Sequence, residues 1–335
     1  MNKIFEKLCT QLQLGEMVGQ PVVVTGGLLH RMYAIETTTG KYAVKALNPQ
    51  VMLRPAAMSN MIHSEKIAAI AANNVPALPA KRYNDASVQQ VDDHYFLVFD
   101  WVAGRSLKPH EITIAHAERI GEILAAIHKT DFSALGIDVN ETFGDAQVTN
   151  WDHYVELGET NQSAWVSLAK ETVDQLYDWS AKANQAAQWL ASSTVISHMD
   201  LDAKNVMWNE DRPILIDWEA SGPINPMQNL TETAVYWSAD EAGNLDRERF
   251  RAFLRGYKKK GGTLEAEWNV VLDQGFAGML GWLEYNLKRS LWLECTDEHE
   301  QQMGTEQVLA TMNALRRYAE QQTVIEGWLN EEEVV

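Results

Sequence analysis

The first hundred residues carry short apolar runs with a period of two, the pattern of strands that bury one face. In one such run, Val44 and Lys45 fall on opposite faces. The stretch 56–73 instead repeats apolar side chains at helical spacing and is followed by Pro76. The predicted strands are 22–24, 31–36, 41–47, 88–91 and 95–99. We expect the first three to form an antiparallel meander.

After Gly104 the apolar period changes to 3.6 residues, which is typical of amphipathic helices. The predicted helices are 112–128, 163–190, 246–260, 264–293 and 300–328, and two short apolar runs, 205–208 and 214–218, flank a turn at 210–213. The pattern favours the α+β class, with two lobes. We expect a small β-rich lobe with one helix over 1–101 and a larger, mostly helical lobe over 102–335.

The composition is that of an ordinary globular protein, since 46% of the 335 residues are apolar and 22% are charged. Negative charge is concentrated after residue 100. Residues 1–100 carry 9 basic and 8 acidic side chains, and 101–335 carry 19 basic and 38 acidic ones. We expect no nucleic-acid partner, because neutralising phosphates requires clustered lysine and arginine.

Neither a disulfide framework nor a membrane span is indicated. The chain has two cysteines, Cys9 and Cys295, and its longest apolar stretch, 95–102, is far shorter than the roughly 20 residues of a spanning helix. Charged residues interrupt the apolar residues at the N-terminus, unlike those of a signal peptide. These features predict a cytoplasmic protein without a membrane partner.

The sharpest chemical signal is the segment 198–205, HMDLDAKN, in which an asparagine follows the aspartate of His-x-Asp by five residues. An apolar run ending in Asp217 begins shortly afterwards. Phosphoryl transfer from a nucleotide needs a carboxylate that accepts the proton of the attacking hydroxyl, and oxygen ligands for Mg²⁺. We therefore assign Asp200 as the catalytic base and Asn205 and Asp217 as metal ligands.

A lysine and a glutamate in the first lobe provide an independent check. Lys45 lies in the middle of a predicted strand, and Glu65 lies on the apolar side of the following helix. Kinases place such a lysine on the nucleotide phosphates and such a glutamate beside it. We expect an ion pair between Lys45 and Glu65 at the nucleotide. The alternatives are an edge-strand lysine that opposes aggregation and a solvent-facing glutamate.

With these residues in place, the chain resembles the aminoglycoside phosphotransferase and choline kinase family, small-molecule kinases with a protein-kinase-like fold. The matching segments are AVK at 43–45, FDWVAG at 99–104, LAAIH at 124–128, the loop 198–205 and IDWE at 216–219. The resemblance implies a two-lobed, protein-kinase-like fold, Mg²⁺ as the cofactor and ATP or GTP as the donor. It also implies a structural role for His198 and a nucleotide-binding hinge at Phe99, Asp100, Trp101 and Val102.

Several positions depart from the family pattern. The segment 25–30, TGGLLH, offers Gly26 and Gly27 as nucleotide contacts but is not a G-x-G-x-x-G loop. Met199 stands where relatives carry glycine, and 225–230 lacks the second acid of many relatives. A protein kinase is disfavoured because Trp-Glu, not Phe-Gly, follows Asp217, and P-loop kinases are excluded by the lack of a Walker A sequence.

The acceptor is expected to bind in the second lobe and to be cationic or amino-bearing, because the acidic excess lies there and aromatic faces attract cations. The candidate acceptor residues are Glu219, Glu241, Trp282, Glu284, Tyr285 and Asn286. The alternatives are an acidic surface that only maintains solubility and tryptophans that only fill the core.

The sequence thus predicts a phosphotransferase that moves the γ-phosphoryl group of a nucleoside triphosphate to a hydroxyl of a small molecule, such as an aminoglycoside-like compound. A metabolic kinase of the choline, ethanolamine or homoserine type is an alternative within the same chemistry. A catalytically inactive nucleotide-binding module is an alternative of another class.

Overall fold

The computed structural model describes residues 2–24, 29–136 and 148–333. Its strands are β1 (Val22–Val24), β2 (Arg31–Thr37), β3 (Gly40–Ala46), β4 (Gln89–Val91), β5 (His94–Asp100), β6 (Arg105–Ser106), β7 (Val195–Ser197), β8 (Val206–Asn209), β9 (Arg212–Leu215) and β10 (Gly222–Ile224). Its helices are α1 (Asn2–Gln11), α2 (Pro49–Met52), α3 (Ala57–Ala71), α4 (Ile114–His128), α5 (Trp151–Thr160), α6 (Val166–Leu190), α7 (Pro226–Ser238), α8 (Arg247–Lys259), α9 (Trp268–Gln274), α10 (Phe276–Ser290) and α11 (Glu298–Glu333).

The chain forms two compact units, each of which brings together separate stretches of sequence. The first unit comprises Met1–Lys108, Lys129–Ile137 and His198–Gly222. The second comprises Pro109–His128, Asp138–Ser197 and Pro223–Val335. The lobe boundary expected between residues 101 and 102 stays a prediction.

A five-stranded antiparallel sheet, in the order β1-β2-β3-β5-β4, forms the frame of the first unit. The predicted meander of the first three strands is confirmed. Lys45 lies in β3, opposite Met32 of β2 on one side and Leu97 of β5 on the other. It therefore occupies the central strand of the sheet, which rules out the edge-strand alternative.

The two faces of this sheet pack different helices. Phe5 of α1 joins Val44 in one apolar cluster, and Met61 of α3 joins Leu97 in another. Because successive side chains of a strand point to opposite faces, Lys45 lies on the side of α3. That side also carries Glu65, one turn beyond Met61 on the same helix.

A smaller antiparallel sheet, β6-β8-β9, supports the loop that holds the motif residues. Leu215, the last residue of β9, is bonded on both sides: its N–H donates to the carbonyl of Pro76 and its carbonyl accepts from the N–H of Leu78. Helix α3 packs against the following 3₁₀ turn, Trp218–Ala220. Asp217 lies between β9 and this turn, and the contacts of both elements hold its backbone in place.

Tryptophan side chains fill much of the core of the second unit. Trp151, Trp165 and Trp179 are buried in one cluster with Phe276 and other residues of α10 and α11. Elsewhere in this unit α4 and α8 approach closely at glycines: a Cβ at Gly121 would lie 2.0 Å from a backbone oxygen of α8. The helical character expected of this part of the chain is confirmed.

The single helix expected over 264–293 is wrong, because the structure has α9 and α10 with a break at Gly275. The hydroxyl of Tyr318 donates to the carbonyl of Leu272, 2.8 Å away. A Cβ at residue 275 would lie 2.1 Å from the same hydroxyl, so the site requires glycine. A distant side chain of the sequence thus interrupts the helix, which local periodicity does not show.

Helices α5 and α7 are not predicted by the periodicity, but each carries a start signal. The side chain of Asn150 accepts from the N–H of His153, and that of Asn225 accepts from the N–H groups of Met227 and Gln228. Such side chains satisfy N–H groups that have no partner inside the helix. Among the residues that the structure describes, no helix is both long enough and apolar enough to cross a bilayer.

Candidate active site

His198 ties the motif loop to the strand that precedes Asp217. Its Nε2–H donates to the carbonyl of Ile216 at 2.9 Å, its Nδ1 accepts from the N–H of Asp200, and its ring packs against Trp218. The side chain is fully buried, and burial lowers the pKa of His198 to about 4. The imidazole is therefore neutral near pH 7, in the tautomer that donates from Nε2.

The two carboxylate oxygens of Asp200 have different surroundings. Oδ2 accepts from Nδ2 of Asn205 at 2.8 Å and lies 3.5 Å from the ammonium of Lys204. Oδ1 accepts no hydrogen bond from any residue that the structure describes. Burial raises the pKa of Asp200, and the charge of Lys204 opposes this effect. One oxygen is thus fixed, and the other is available to accept a further hydrogen bond.

Asn205 uses its amide nitrogen in the same interaction. Nδ2 donates to the backbone carbonyl of Asp200 as well as to its side chain, both at 2.8 Å. Oδ1 of Asn205 accepts no hydrogen bond from the described residues, although the side chain is almost completely buried. The orientation leaves an amide oxygen free, which is the atom that a hard metal ion would use.

Lys45 bridges two carboxylates. Its Nζ lies 2.6 Å from Oδ1 of Asp217 and 2.8 Å from Oε2 of Glu219. Burial acts to lower the pKa of Lys45, but the two carboxylates outweigh it and raise that pKa well above its usual value. Lys45 likewise holds the pKa of Asp217 below its ordinary value against the effect of burial. Lys45 and Asp217 are therefore both charged near pH 7.

The ion pair expected between Lys45 and Glu65 is not formed in the structure. Oε2 of Glu65 instead accepts from the N–H of Ala80 at 2.6 Å. Burial raises the pKa of Glu65 to about 7, despite that hydrogen bond and the nearby charge of Lys45. The ammonium is already satisfied by Asp217 and Glu219, so the buried carboxyl of Glu65 binds backbone rather than lysine.

His30 is a neighbour of Glu219 that sequence reasoning missed. Its Nε2 lies 3.5 Å from Oε2 of Glu219, and its Nδ1 accepts from the N–H of Asn48. Glu219, which the sequence assigns to the acceptor, is thus in contact with Lys45 and His30. The signal was available in the sequence: a histidine at the end of the segment 25–30, directly before a predicted strand.

Lys204 is the second residue that the sequence reasoning missed. Besides its contact with Asp200, its Nζ lies 3.6 Å from Oδ2 of Asp202. Asp202 also caps the 3₁₀ turn Ala203–Asn205 by accepting from the N–H of Lys204. A lysine four residues after the candidate base, inside the motif itself, is the signal that could have identified it.

The expected hinge consists of the last two residues of β5 and the two residues after it, and it is only partly buried. Phe99 is in the core, and Asp100 forms an ion pair with Lys81 at 2.7 Å. Trp101 is 38% exposed, with the ammonium of Lys41 3.7 Å from the centre of its ring. Val102 is half-buried. Gly26 and Gly27 lie outside the described residues, and the nucleotide role of the hinge stays a prediction.

Left-handed backbone occurs at two positions of the motif. Met199 has φ +62° and Asp217 has φ +63°. This conformation has no steric cost for glycine but costs other residues about 1–2 kcal/mol. The positive φ explains why glycine suits position 199, and this chain adopts it with a methionine.

The remaining acceptor candidates belong to the second unit, where Glu284 has the most contacts. It accepts from the hydroxyl groups of Thr149 at 2.8 Å and Tyr154 at 3.1 Å, and it pairs with Lys288 at 3.0 Å. Burial opposes ionisation of Glu284, but these partners lower its pKa. Oε1 of Glu241 accepts from the backbone N–H of His110 and also contacts Nδ1 of its ring.

The aromatic candidates lie on the same helix as Glu284. The rings of Trp282 and Tyr285 are 5.6 Å apart, and Nε1 of Trp282 donates to Gln307. Asn286 is fully buried, and its Nδ2 donates to the carbonyl of Trp282. This placement makes Asn286 part of the helix packing. A role in acceptor binding stays a prediction for all of these residues.

The donor atoms of the motif fit a magnesium ion. Mg²⁺ prefers hard oxygen ligands and is usually bound by one or two protein side chains together with substrate phosphates. Asn205 offers a free amide oxygen, and Asp217 offers a carboxylate whose Oδ2 has no hydrogen bond from the described residues. Within the described ranges no cluster of three or more acidic, histidine or cysteine side chains forms a metal site. Asn205 and Asp217 suit an ion that nucleotide phosphates help to hold.

Comparison with solved structures shows the fold. Spectinomycin phosphotransferase APH(9)-Ia, in complex with ADP and spectinomycin, is 11% identical, with 95% of this chain and 98% of that chain covered and a TM-score of 0.70. Ethanolamine kinase from Plasmodium vivax is 16% identical, with 89% of this chain and 83% of that chain covered and a TM-score of 0.58. Choline kinase from Cryptosporidium parvum Iowa II is 12% identical, with 98% of this chain and 99% of that chain covered and a TM-score of 0.57. The two-lobed, kinase-like fold that the sequence predicts is confirmed.

The sequence itself gives the family. No sequence of a curated protein matches this one. The model of the phosphotransferase enzyme family matches residues 22–262, which include Lys45, Asp200, Asn205 and Asp217. The match covers well over half of the chain, and it confirms the resemblance drawn from the motifs: the chain belongs to the phosphotransferase enzyme family.

Proposed function

We propose that this chain transfers the γ-phosphoryl group of a nucleoside triphosphate to a hydroxyl of a small molecule, in a reaction that requires Mg²⁺. The observation that carries the proposal is the asymmetry of Asp200. Oδ2 is held by Asn205, whereas Oδ1 has no partner among the described residues. A general base must present an unoccupied oxygen to the proton it accepts.

In the proposed step, the acceptor hydroxyl gives its proton to Oδ1 of Asp200 while its oxygen bonds to the γ-phosphorus. The bond from that phosphorus to the bridging oxygen breaks, and the electron pair remains on the nucleoside diphosphate. Burial raises the pKa of Asp200, which makes its carboxylate a better proton acceptor than a solvated one.

Asn205 and Asp217 would hold the magnesium ion through the oxygens described above, and the bound ion would neutralise phosphate charge. Lys45 would contribute a permanent positive charge at the same place, because it is buried beside Asp217 and remains protonated. Both groups act on charge and position, which are the main contributions of a protein to phosphoryl transfer.

ATP or GTP is the proposed donor. The solved complexes of spectinomycin phosphotransferase with ADP and with AMP support an adenine nucleotide. The end of β5 and the two residues after it, Phe99 to Val102, are the segment proposed to bind the base. A direct comparison of ATP and GTP as donors, at equal Mg²⁺ concentration, tests this choice.

The proposed acceptor carries a positive charge or an amino group. Residues 101–335 hold twice as many acidic as basic side chains, which favours a cation over an anion. Related folds belong to proteins named as kinases of spectinomycin, ethanolamine and choline, which supports the same class. Aminoglycoside-like compounds and choline, ethanolamine or homoserine-type amino alcohols are therefore the first acceptors to test.

The test is a phosphate-transfer screen with Mg²⁺, in which phosphorylated products are detected by mass spectrometry. Aminoglycosides, amino alcohols, sugars and nucleosides form the acceptor set, and the Asp200→Asn variant is the matched control. We expect one acceptor class to be phosphorylated by the wild type and not by the variant. Nucleotide binding without transfer to any acceptor would instead support the inactive nucleotide-binding module.

A further inference from the structure

Lys204 lies inside the motif loop, four residues after Asp200 and directly before Asn205. Its Nζ is 3.5 Å from Oδ2 of Asp200 and 3.6 Å from Oδ2 of Asp202, and its side chain is 54% exposed. Optimal charge-assisted hydrogen bonds to a carboxylate measure about 2.7–2.9 Å. The ammonium is therefore near two carboxylates without being fully engaged by either of them.

The contrast with Lys45 shows what this arrangement allows. Lys45 is buried and makes two contacts of 2.6 and 2.8 Å, so both carboxylates bind it tightly. Lys204 reaches solvent, and an ammonium has three N–H donors. It can retain Asp200 as a partner and still donate to a further anionic group that enters the site.

Charge balance indicates which group that would be. In phosphoryl transfer, negative charge is spread over the three peripheral oxygens of the γ-phosphoryl group as it moves. The group must pass beside the carboxylate of Asp200, because that carboxylate orients the attacking hydroxyl. Two like charges at such a distance repel each other, so a cation next to Asp200 would relieve the repulsion.

Few cations are available for this task. Among the described residues, the lysines and arginines that pair with Asp200, Asp202, Asp217 or Glu219 are Lys45 and Lys204. Lys45 is occupied at Asp217, and the segment 25–30 contains no lysine or arginine. The ammonium of Lys204 lies within 4 Å of two carboxylates, and nearby negative charge favours the protonated form of a lysine. Lys204 is thus a cation on the side of the base.

We propose that Lys204 is a catalytic residue, whose ammonium donates to the γ-phosphoryl oxygens during transfer while it holds Oδ2 of Asp200. This inference rests on the proposed function, since it assigns a role within the same reaction. The lysine would meet the phosphoryl oxygens as the group moves past Asp200 toward the acceptor, so its removal would lower kcat more than it raises the nucleotide KM.

The chain offers a matched control for the test. Lys182 also pairs with an aspartate four residues earlier, Asp178, and its side chain is 46% exposed. The Lys204→Met and Lys182→Met variants therefore lose the same charge from similar environments. For Lys204→Met we expect kcat to fall by roughly 10²-fold, as when one donor to a developing anion is removed. We expect Lys204→Arg to recover part of the rate, and Lys182→Met to match the wild type.

A second measurement separates a catalytic role from a structural one. Affinity for MgADP is compared with and without aluminium fluoride, which imitates the transferring phosphoryl group. In the wild type the fluoride complex should bind more tightly, and Lys204→Met should lose most of this gain while still binding MgADP. Thermal unfolding shows whether the Lys204→Met variant is folded. If it is not, the same measurements are made on Lys204→Gln.

The failures of the two proposals can be distinguished. A wild-type protein that phosphorylates no acceptor contradicts the proposed function and, with it, the role of Lys204. A wild-type protein that turns over, together with a Lys204→Met variant of equal kcat and equal gain from fluoride, overturns the role of Lys204 alone.

Discussion

The amide nitrogen of Asn205 donates to both the backbone carbonyl and the side chain of Asp200, each at 2.8 Å. A single residue thereby fixes the rotamer of the candidate base and directs its own Oδ1 elsewhere. The five-residue spacing of the motif is what permits both contacts, since the 3₁₀ turn Ala203–Asn205 returns the chain toward Asp200.

Asp200→Asn should remove proton acceptance while preserving the loop. The oxygen of the new amide can still accept from Asn205, but a donor replaces the free Oδ1. We expect the turnover rate to fall by about 10²–10⁴-fold, the usual contribution of a general base, with nucleotide affinity maintained. Initial rates and nucleotide titration measure the two effects. Equal turnover by variant and wild type would contradict the assignment of the base.

Asp217→Asn should abolish Mg²⁺-dependent turnover without disrupting the backbone. Residue 217 has φ +63°, and asparagine tolerates this conformation better than alanine does. The neutral amide keeps the shape but loses the charge that would bind the metal ion. Turnover is measured over a range of Mg²⁺ concentrations. Asp211→Asn, in the exposed turn between β8 and β9, is the control and should retain full activity.

The motif loop could be predicted from the sequence because its geometry is local. His198, Asp200 and Asn205 lie within one short segment, and the spacing fixes their relations once the turn forms. Asp217 can be placed as well, because only the hairpin of β8 and β9 separates it from the loop. Chemistry that depends on close spacing along the chain is therefore visible in the sequence itself.

The partner of Lys45 could not be predicted in this way. It pairs with residues 172 and 174 positions away, and several carboxylates lie near enough to compete. Which of them wins depends on the packing of α3 and on the N–H of Ala80, which takes Glu65 instead. The break at Gly275 has the same origin, since it is caused by the distant side chain of Tyr318.

Lys45→Met should weaken nucleotide use and stability together. The substitution leaves the carboxylates of Asp217 and Glu219 near each other without their shared cation. Removing one partner of a buried ion pair costs about 3–5 kcal/mol, so the free energy of unfolding should fall by up to that amount. Nucleotide KM should rise while acceptor KM stays the same, as measured by initial rates.

Comparing Glu65→Gln with Glu219→Gln shows which carboxylate Lys45 depends on. If Lys45 depends on Asp217 and Glu219, then Glu219→Gln should raise the nucleotide KM more than Glu65→Gln does. The opposite order would mean that the expected ion pair between Lys45 and Glu65 forms once nucleotide binds.

The stability of the nucleotide-free protein should depend on Glu65 between about pH 4.5 and 7. Its pKa is raised from 4.5 to about 7 by burial, so the folded state binds this proton more tightly than the unfolded state does. The stabilising contribution of the neutral acid is therefore complete below pH 4.5 and is lost as the pH rises through 7. The loss amounts to a few kcal/mol, at about 1.36 kcal/mol for each pKa unit.

Glu65→Gln should remove this dependence, because glutamine can still accept from Ala80 but does not ionise. Denaturant unfolding across the pH range should show the two proteins equally stable at low pH and the variant more stable once the pH exceeds the raised pKa of Glu65. A difference between them that stays constant with pH would show that folding does not shift the pKa of Glu65.

An acceptor that carries positive charge should bind less tightly as salt rises, because screening weakens attraction to acidic side chains near the surface. Glu284 is the acidic candidate with the clearest environment. Its carboxylate is oriented by Thr149, Tyr154 and Lys288, and its lowered pKa keeps it ionised. Trp282 and Tyr285 lie on the same helix and could add cation–π attraction of roughly 0.5–2 kcal/mol each.

Glu284→Gln should therefore raise the KM of the acceptor more than that of the nucleotide. Glu171→Gln, at an exposed position of α6, removes the same charge from the same unit and serves as the control. Glutamine can accept from Tyr154 through its oxygen, and its amide nitrogen can donate to the hydroxyl of Thr149, which can turn to accept, so a change in acceptor KM would report the charge and not a disturbed packing. Steady-state kinetics at low and high salt measure both effects. A neutral or anionic acceptor with no salt dependence, or equal effects of Glu284→Gln and Glu171→Gln, would show that the acidic surface serves solubility and that the acceptor is recognised by other groups.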